Sequence, residues 1–346
     1  TSHPIDLDYP ANDSIYLSFF YQPKGIGERP DESDSLCLQF LSFESKEWTT
    51  IWSVPGTDLH EFQIVMIPIT SQEFLYKGFQ FRFFNYASHA DNRDYPDLRA
   101  NVDHWNIDYV YLDKNRGIND TIFRDVCFVE PVNSILSSYE SIPWTHFEAA
   151  YFTQIKPFVK TVIANHDSIT RNVSRRLRIK DLFSGDPAYN TTPTANDLAS
   201  GDTTHHLFAY DYPFNFGSGD SAFFEIKATV LTDNFDYKPN DTVIYIQKFK
   251  NYYAFDDGSA EAGYGLRGQG SKNASVAVKF DAFEDDSLRA VDMYFNQVMD
   301  SINLNYYFYL KVWDDNSGKP GEEIYSQLGV KPEYSRLNKY IRYYLE

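Results

Sequence analysis

The chain has 346 residues and a mass of 40.2 kDa, which exceeds what one hydrophobic core usually supports, so two or three domains are expected. Its net charge of −18 and pI near 4.8 argue against a nucleic acid or an anionic membrane as partner, because the dominant electrostatic term would be repulsive. The sequence has no apolar run of about 18 residues, so no helix is expected to cross a bilayer.

Aromatic residues make up 17% of the chain, with 27 Tyr and 28 Phe against only 3 Met. Flat rings pack well on a pleated sheet, and the stretch 78–86 alternates apolar and polar side chains. This alternation recurs along the chain and closes each time on Gly, Pro, Asn or Asp. The sequence therefore predicts an all-β protein made of tandem antiparallel β-sandwiches: a jelly roll, an immunoglobulin-like sandwich and a second jelly roll.

Residues 1–155 are predicted to form the first jelly roll, because six strand patterns follow one another with short connections. The patterns cover 15–21, 35–40, 48–53, 62–67, 79–83 and 105–112. A passage with several prolines comes next, and a short helix is predicted there over 134–139.

Residues 156–250 are predicted to form the immunoglobulin-like sandwich, although the Cys-Trp-Cys pattern of a true immunoglobulin domain is missing. Its strand patterns cover 158–163, 177–179, 223–230 and 242–246. The stretch 190–202 reads as a long polar loop.

Residues 251–346 are predicted to form the second jelly-roll-like domain, with strands over 275–280, 288–295 and 307–313. The sequence stops inside a further strand pattern at 339–346, so a longer natural protein with an unfinished last sandwich is expected. The first nine residues lack the layout of a signal peptide, as a trimmed exported chain also would.

The two cysteines, Cys37 and Cys127, both lie inside apolar strand patterns. They are interpreted as two buried thiols, and a single bridge between two strands is the alternative. Two cysteines cannot provide a closed zinc site.

Motifs for nucleophilic, zinc-dependent or phosphate-binding catalysis are missing from the sequence, which has no Gly-x-Ser-x-Gly, His-Glu-x-x-His or Gly-x-x-x-x-Gly-Lys pattern. The chain is therefore predicted not to be an enzyme. Glycoside hydrolysis is the remaining enzymatic alternative, since it needs only two carboxylates about 5 to 10 Å apart across a cleft.

Acidic clusters offer the hard oxygen ligands that calcium takes, and calcium is the one cofactor suggested. The calcium candidates are Asp256, Asp257, Asp314 and Asp315. A further cluster combines Asp103 with Asp108 and Asp113. None of these fits the twelve-residue EF-hand spacing, and Asp and Asn also serve as turn formers in sandwich loops.

Exposed tryptophans would stack on sugar rings if the chain bound carbohydrate. The candidates are Trp48, Trp52, Trp105, Trp144 and Trp313. Trp48 and Trp52 lie among polar residues in a strand pattern, so packing in a core is the favoured interpretation.

A repeated Asp-Ser or Asp-Thr followed by an apolar residue, Ala or Thr resembles the O-glycan acceptor motif of exported Bacteroidota proteins. The acceptor residues would be Ser14, Ser35, Thr121, Ser168, Thr203, Ser221, Thr242, Ser287 and Ser301. Asp-Ser is also a good turn at the entry to a strand, which is the alternative interpretation.

Part of the sequence resembles the MAM-like jelly roll of Bacteroidota envelope proteins. The resemblance is carried by 31–36 through Trp48 and Trp52, by 78–83 and by 103–110. The stretch 252–265, together with 313–316 and 318–321, looks like a second module of the same proteins. The three-part layout is similar to proteins of the type IX secretion system, in particular the plug subunit of its translocon. The resemblance implies no catalytic residues, a periplasmic or outer-membrane location, and the translocon barrel as protein partner.

Two functions follow as hypotheses. One is a non-enzymatic exported protein that presents sandwich edges and loops to a protein partner. The alternative is a carbohydrate-binding or adhesin module of the cell envelope with a glycan ligand. The loop after Tyr86, with His89, Asp91, Asn92, Arg93 and Asp94, is the predicted binding edge.

Overall fold

The computed structural model describes residues 1–24, 29–88, 103–217, 219–233, 236–258, 264, 266, 269–271, 273–295, 306–335 and 339–346. Strands make up 44% of the chain, and one α-helix occurs within these described ranges. Their strand pairs are antiparallel. The predicted all-β class of antiparallel sandwiches is confirmed.

The strands in chain order are β1 (Ile5–Asp6), β2 (Tyr16–Pro23), β3 (Ser35–Leu41), β4 (Trp48–Pro55), β5 (Gln63–Pro68), β6 (Lys77–Phe79), β7 (Phe81–Tyr86), β8 (Trp105–Asp113), β9 (Val126–Phe128), β10 (Phe158–Asn165), β11 (Arg171–Asp181), β12 (Tyr189–Asn190), β13 (Thr194–Leu198), β14 (Thr203–Ala209), β15 (Ala222–Leu231), β16 (Thr242–Phe249), β17 (Ala290–Met293), β18 (Phe308–Asp315), β19 (Pro320–Val330) and β20 (Ile341–Tyr344). The helix α1 spans Trp144–Gln154, and the described residues also include short 3₁₀ turns at Ala11–Asp13 and Lys238–Asn240. Among the described helices, none is both long and apolar enough to span a bilayer.

The described residues group into two compact units. The first unit comprises Thr1–Thr121, Ser259–Ala277 and Ala290–Glu346, and the second comprises Ile122–Gly258 and Val278–Arg289. Residues from Val132 to Ala150, which the sequence assigns to the first domain, contribute to the core of the second unit. The division into three domains at 155 and 250 stays a prediction.

The first unit contains a sandwich of two three-stranded sheets, ordered β5-β2-β8 and β4-β3-β7. Alternate residues of the two central strands are buried, namely Leu17, Phe19 and Tyr21 on β2 and Leu36, Leu38 and Phe40 on β3. Phe19 makes edge-to-face ring contacts with Trp52 and Phe83 of the opposite sheet, at centroid distances of 5.1 and 4.9 Å. These contacts join the two layers, as the period-2 pattern requires.

The second unit contains a sheet ordered β12-β11-β15-β16, with β13 also paired to β11, and a sheet ordered β14-β10-β9. Helix α1 adds Trp144 and Phe147 to the core of this unit. Phe147 lies 4.3 Å from Phe249 between ring centroids, and Trp144 lies 5.3 Å from the same ring. A helix face thus closes a core that is otherwise built from strands.

The helix predicted over 134–139 is wrong, and the helix lies ten residues later. Residues 134–139 are irregular because Gln247 Oε1 accepts from both the Ser134 hydroxyl and the Ile135 backbone N–H, at 2.8 and 3.1 Å. Pro143 directly precedes the first helical residue. At this position a backbone N–H has no partner within the helix, so proline removes no helical hydrogen bond. Helical spacing is visible in the buried residues Trp144, Phe147, Ala150 and Gln154.

Two other sequence predictions differ from the structure. The stretch 190–202, predicted as a loop, contains β13, an edge strand in which only Leu198 is buried, so it carries no apolar alternation. The strand predicted over 275–280 is irregular, and Val276 and Val278 are exposed. Strand structure requires a neighbour to complete its hydrogen bonds, which an apolar pattern alone does not supply.

The described part of 290–346 contains two two-stranded ladders, β17 with β20 and β18 with β19. In the longer ladder Tyr309 lies opposite Leu328 and Val312 opposite Tyr325. The strand predicted over 307–313 is therefore present, together with a partner strand that the sequence analysis did not identify.

Cys37 and Cys127 are not joined by a disulfide in this structure. Cys127 is buried on β9, as predicted, whereas Cys37 is half-buried on the outer side of β3. The alternative of a bridge between them stays a prediction.

Candidate binding face and acidic sites

One side of β7 carries large side chains where a sandwich strand usually presents polar residues to water. Phe81 and Phe83 pack against the core, so the period of two places Arg82, Phe84 and Tyr86 on the outer side. Phe84 is 39% exposed and Tyr86 is 65% exposed. Register places these residues beside Gln39, Cys37 and Ser35 of β3, respectively.

The outer side chains form a continuous row across the sheet β4-β3-β7. The guanidinium carbon of Arg82 lies 4.4 Å from the ring centroid of Trp48 and 5.5 Å from that of Phe84. The rings of Phe84 and Tyr86 are 5.8 Å apart. Gln39 accepts a hydrogen bond from Arg82 Nε at 2.7 Å, which holds the guanidinium in place. The set Trp48, Arg82, Phe84 and Tyr86 is called the aromatic face.

The aromatic face could have been found in the sequence. The pattern Phe-Arg-Phe-Phe-Asn-Tyr over 81–86 has large residues on both faces of a strand, whereas a half-buried strand is expected to have polar residues on one. Trp48 lies 34 positions before Arg82, and the contact between them depends on strand pairing, which the sequence alone does not show.

An acidic cluster lies where β3 begins and β8 begins. Asp31, Asp34 and Asp103 each offer a carboxylate oxygen, and these oxygens lie within 4.8 Å of one another. Asp34 and Asp103 are each only 2% exposed, whereas Asp31 is exposed. An oxygen-only set of this kind can hold a hard cation such as calcium.

The Asp34 carboxylate also organises the backbone around it. It accepts the N–H of Asp31 and the N–H of Ser88, each at 2.6 Å. Burial alone would raise the pKa of Asp34, but hydrogen bonds from Ser88, Asp103 and the Asp31 backbone outweigh burial and hold this pKa below its usual value. Asp34 is therefore held as a carboxylate, which suits a ligand and a turn former rather than the proton donor of a hydrolase.

A pocket of about 320 Å³ opens at the same end of the sandwich. Leu36, Phe83 and Ile107 provide its apolar part. Its polar part comes from Asn85, Asp103, His104 and Trp105. An apolar floor with a few polar groups is the usual composition of a small-molecule site.

Three of the four predicted calcium ligands accept backbone N–H groups in the structure. Asp256 accepts the N–H of Gly258 at 2.7 Å, and Asp315 accepts the N–H of Gly318 at 2.7 Å. Asp314 accepts the N–H of Glu322. A calcium role for Asp256, Asp257, Asp314 and Asp315 stays a prediction.

The predicted grouping of Asp103 with Asp108 and Asp113 is wrong. Asp108 and Asp113 lie further along β8, opposite Phe20 and Tyr16. Asp103 instead meets Asp31 and Asp34, some 70 positions earlier. Antiparallel pairing brings the start of β3 to the end of β7, where Asn85 Nδ2 donates to the Asp103 carbonyl oxygen at 2.9 Å. Nearness in sequence was a poor guide to nearness in space.

The predicted acceptor residues for O-glycans occupy different environments. The exposed ones are Ser14, Thr121, Ser168, Thr203 and Ser287, and the half-buried ones are Ser35, Ser221 and Thr242, while Ser301 lies outside the described residues. Ser35, Thr203 and Thr242 are each the first residue of a strand. This placement favours the turn interpretation at those three positions, and modification stays a prediction.

Of the tryptophans, Trp48 belongs to the aromatic face and Trp144 is buried in the second unit. Trp52 and Trp105 are half-buried against the core of the first unit, and Trp313 is half-buried on β18. The favoured core packing is thus confirmed for Trp52 and is wrong for Trp48. The predicted binding edge, with His89, Asp91, Asn92, Arg93 and Asp94, lies outside the described residues.

Buried carboxylates also gather in the second unit. Asp125 is 1% exposed and Asp241 is 5% exposed. Burial raises the pKa of Asp125. Burial, together with the neighbouring charge of Asp236, raises the pKa of Asp241 to about 6. These groups were not singled out in the sequence, where they occur far apart.

No protein-family model matches the sequence, and the comparison with curated proteins gives no match either. Among solved structures, one similar chain is that of a "putative beta-galactosidase from bacteroides fragilis". The two chains are 11% identical, with a TM-score of 0.26 over 70% of this chain and 34% of that chain. The present chain spans about a third of that chain's length, and a likeness at this score supports no functional argument.

Proposed function

We propose that the chain is a non-enzymatic, exported binding protein, an accessory plug subunit of the type IX secretion translocon, which holds its protein partner through the aromatic face. The observation that carries the proposal is the row of Trp48, Arg82, Phe84 and Tyr86 on the outer side of a sandwich sheet.

The composition of the aromatic face favours a protein partner. Trp, Tyr and Arg are the residue types that contribute most to protein–protein binding energy. Stable monomers rarely leave large apolar side chains grouped on one surface. Phe84 and Tyr86 are both substantially exposed, so a partner that covers them would gain burial.

Side chains of the aromatic face are held in place before binding, which lowers the entropic cost of binding. Arg82 is already fixed by Gln39 at 2.7 Å and lies against the Trp48 ring. A guanidinium that is ordered before binding loses less side-chain entropy when the partner arrives. The strand β7 provides a rigid backbone for three of the four residues.

The translocon barrel is proposed as the partner on the resemblance to type IX secretion proteins. Two of the stretches that carry the resemblance, 78–83 and 103–110, include Arg82 of the aromatic face and Asp103 of the acidic cluster. The proposed binding surface and the stretches that carry the family resemblance thus lie on the same sandwich.

Site-specific cross-linking in the native envelope tests this function. A photo-cross-linker at Thr50, which lies on β4 beside the aromatic face and hydrogen-bonds Gln39, is expected to capture the translocon barrel. The same cross-linker at Phe152, a 91% exposed residue of α1, is the matched control and is expected to capture none. Equal capture at both positions would rule out the aromatic face, and absence of the barrel from both would rule out the translocon.

The pocket at the end of the sandwich favours the alternative function, carbohydrate binding. Its combination of Phe83 and Trp105 with Asn85, Asp103 and His104 offers rings for a sugar face and polar groups for hydroxyls. Retardation on immobilised polysaccharides, reduced by His104→Ala and unaffected by Tyr86→Ala, would support this alternative. Retardation that neither change alters would speak against the pocket.

A further inference from the structure

The pocket at the end of the first sandwich lies beside the strand β7. Phe83 and Asn85 of β7 line the pocket, together with Trp105 and Ile107 of β8. Among the described strands β7 pairs with β3 alone, so it is the outermost strand of its sheet. The pocket volume of about 320 Å³ is at the lower end of the range of about 300–1,000 Å³ that is usual for ligand sites. A pocket of this size suits one long side chain better than several sugar units.

The walls of the pocket suit a side chain that is apolar along its stem and charged at its head. Leu36, Phe83 and Ile107 provide apolar surface. Lys and Arg bury their aliphatic stems on such surface and keep the charged group among polar neighbours. Phe83 and Trp105 also provide aromatic rings, which attract cations over their faces.

The charge beside the pocket is negative. Asp103 lines the pocket, and its carboxylate lies within 4.8 Å of the carboxylates of Asp31 and Asp34. Burial opposes ionisation of Asp34, but hydrogen bonds outweigh burial and hold its pKa below the usual value, so this carboxylate is charged at neutral pH. Among the described residues that line the pocket, none is Lys or Arg. The local potential therefore favours a cation, as does the net charge of −18.

A guanidinium fits this environment better than an ammonium. Asp34 and Asp103 are each only 2% exposed, so a head group that approaches them loses much of its water. Lysine releases its proton readily when it is desolvated, whereas arginine stays charged. The planar guanidinium also stacks on aromatic rings and bonds a carboxylate through two parallel N–H groups.

The pocket and the aromatic face lie on opposite sides of the same short strand. Phe83 lines the pocket, and the next residue, Phe84, belongs to the aromatic face. Asn85 and Tyr86 repeat this arrangement one step further along β7. A partner segment that crosses the free edge of β7 can therefore contact both sites at once.

We propose that the pocket receives one arginine side chain of the protein partner, with the guanidinium beside Asp103 and the aliphatic stem on Phe83 and Ile107. The inference rests on the proposed function for the identity of that partner. The residues that flank the arginine would cover Phe84 and Tyr86. A sugar in the same pocket is the competing outcome of the test.

Saturation-transfer NMR of the full chain with two small ligands tests the pocket without the partner. The ligands are N-acetyl-arginine N-methylamide and its citrulline counterpart, which has nearly the same shape and no charge. The arginine ligand is expected to bind about tenfold more tightly at neutral pH and low salt. This preference is expected to shrink as salt is added, because it depends on charge.

Two variants locate the site of binding. Asp103→Asn keeps the shape of the side chain, and asparagine tolerates the positive φ of 59° at this position, so the variant is expected to fold and to lose the preference for arginine. Asn85→Lys places an ammonium at the exposed rim of the pocket and is expected to abolish arginine binding, whereas Asn85→Gln retains it. Asp211→Asn, which removes an exposed carboxylate of the second unit, is the charge-matched control and is expected to change nothing.

The outcomes separate this inference from the proposed function. Equal binding of the arginine and citrulline ligands, or an arginine preference that survives both Asp103→Asn and Asn85→Lys, would overturn the arginine pocket. Binding of the purified translocon barrel that persists in that case would leave the proposed function standing. An arginine preference without any binding of the barrel would support the pocket and contradict the translocon as partner. Retardation on polysaccharide that His104→Ala reduces, with no arginine preference, would identify the pocket as a sugar site.

Discussion

The clearest prediction concerns two neighbouring phenylalanines of β2 that face opposite sides of the sheet. Phe19 is fully buried between Trp52 and Phe83, whereas Phe20 is half-buried on the outer side, with the Tyr109 ring 6.5 Å away. Removing a buried Phe side chain costs about 3–5 kcal/mol. Loss of two edge-to-face contacts, worth about 0.5–1.5 kcal/mol each, places Phe19→Ala at the upper end of that range. Phe20→Ala should cost about 1 kcal/mol.

Urea unfolding followed by hydrogen exchange and mass spectrometry of peptides from β2, β3 and β8 measures both costs within the first unit. Phe19→Leu, expected to cost about 1.5 kcal/mol or less, replaces the alanine variant if that variant does not fold. Because side chains alternate with a period of two, a slip of one residue would exchange the two faces. Equal costs, or a larger cost for Phe20→Ala, would refute the register on which the sandwich and its aromatic face depend.

Three further predictions concern the turns and the second unit. In Gly56→Ala the new Cβ would lie 2.0 Å from the carbonyl oxygen of Asp31 and 2.6 Å from that of Pro30. The loop must therefore move, and urea unfolding should show a loss of about 1–3 kcal/mol. Gly117→Ala, whose new Cβ would meet no atom within 4 Å, is the control in the same assay. Phe147→Ala should cost about 3–5 kcal/mol in the same assay, and Phe152→Ala on the exposed side of α1 should cost almost nothing. Burial alone would raise the pKa of Asp167, but hydrogen bonds from Arg171 and Ser168 hold it below its usual value. The carboxylate therefore stabilises the fold above the unfolded pKa of about 3.9 and loses this contribution as the pH falls through the lower folded pKa. Asp167→Asn should cost about 3 kcal/mol at neutral pH and flatten the acid dependence of unfolding, and an unchanged acid slope would contradict this role.

Period-2 alternation was sufficient to predict the strands that carry the first sandwich. The patterns at 35–40 and 105–112 correctly predicted β3 (Ser35–Leu41) and β8 (Trp105–Asp113), because each strand has one face that packs against the core. The same rule failed for β13, an exposed edge strand with no apolar row, and for 275–280, where the apolar residues have no pairing strand among the residues that the structure describes. Local pattern thus predicts strands where burial and pairing coincide.

The candidate sites depended on strand pairing, which the sequence does not display. Arg82 and Phe84 were visible only as members of a strand, and their approach to Trp48 follows from the pairing of β3 with both β4 and β7. Asp31 and Asp34 meet Asp103 at the end of β7, where Asn85 donates to the Asp103 carbonyl oxygen. The buried carboxylates Asp125 and Asp241 of the second unit lie 116 positions apart in sequence (125 to 241), so spacing along the sequence could not identify both as neighbours of Asp236.

The most direct test of the proposed recognition by the aromatic face is the affinity of the chain for the purified translocon barrel. Tyr86→Ala is predicted to weaken binding about 30-fold, as expected for loss of a contact worth about 2 kcal/mol. Phe152→Ala, which removes an equally large exposed ring from the second unit, is predicted to leave the affinity unchanged. Equal affinities of the wild type and both variants would contradict recognition through the aromatic face.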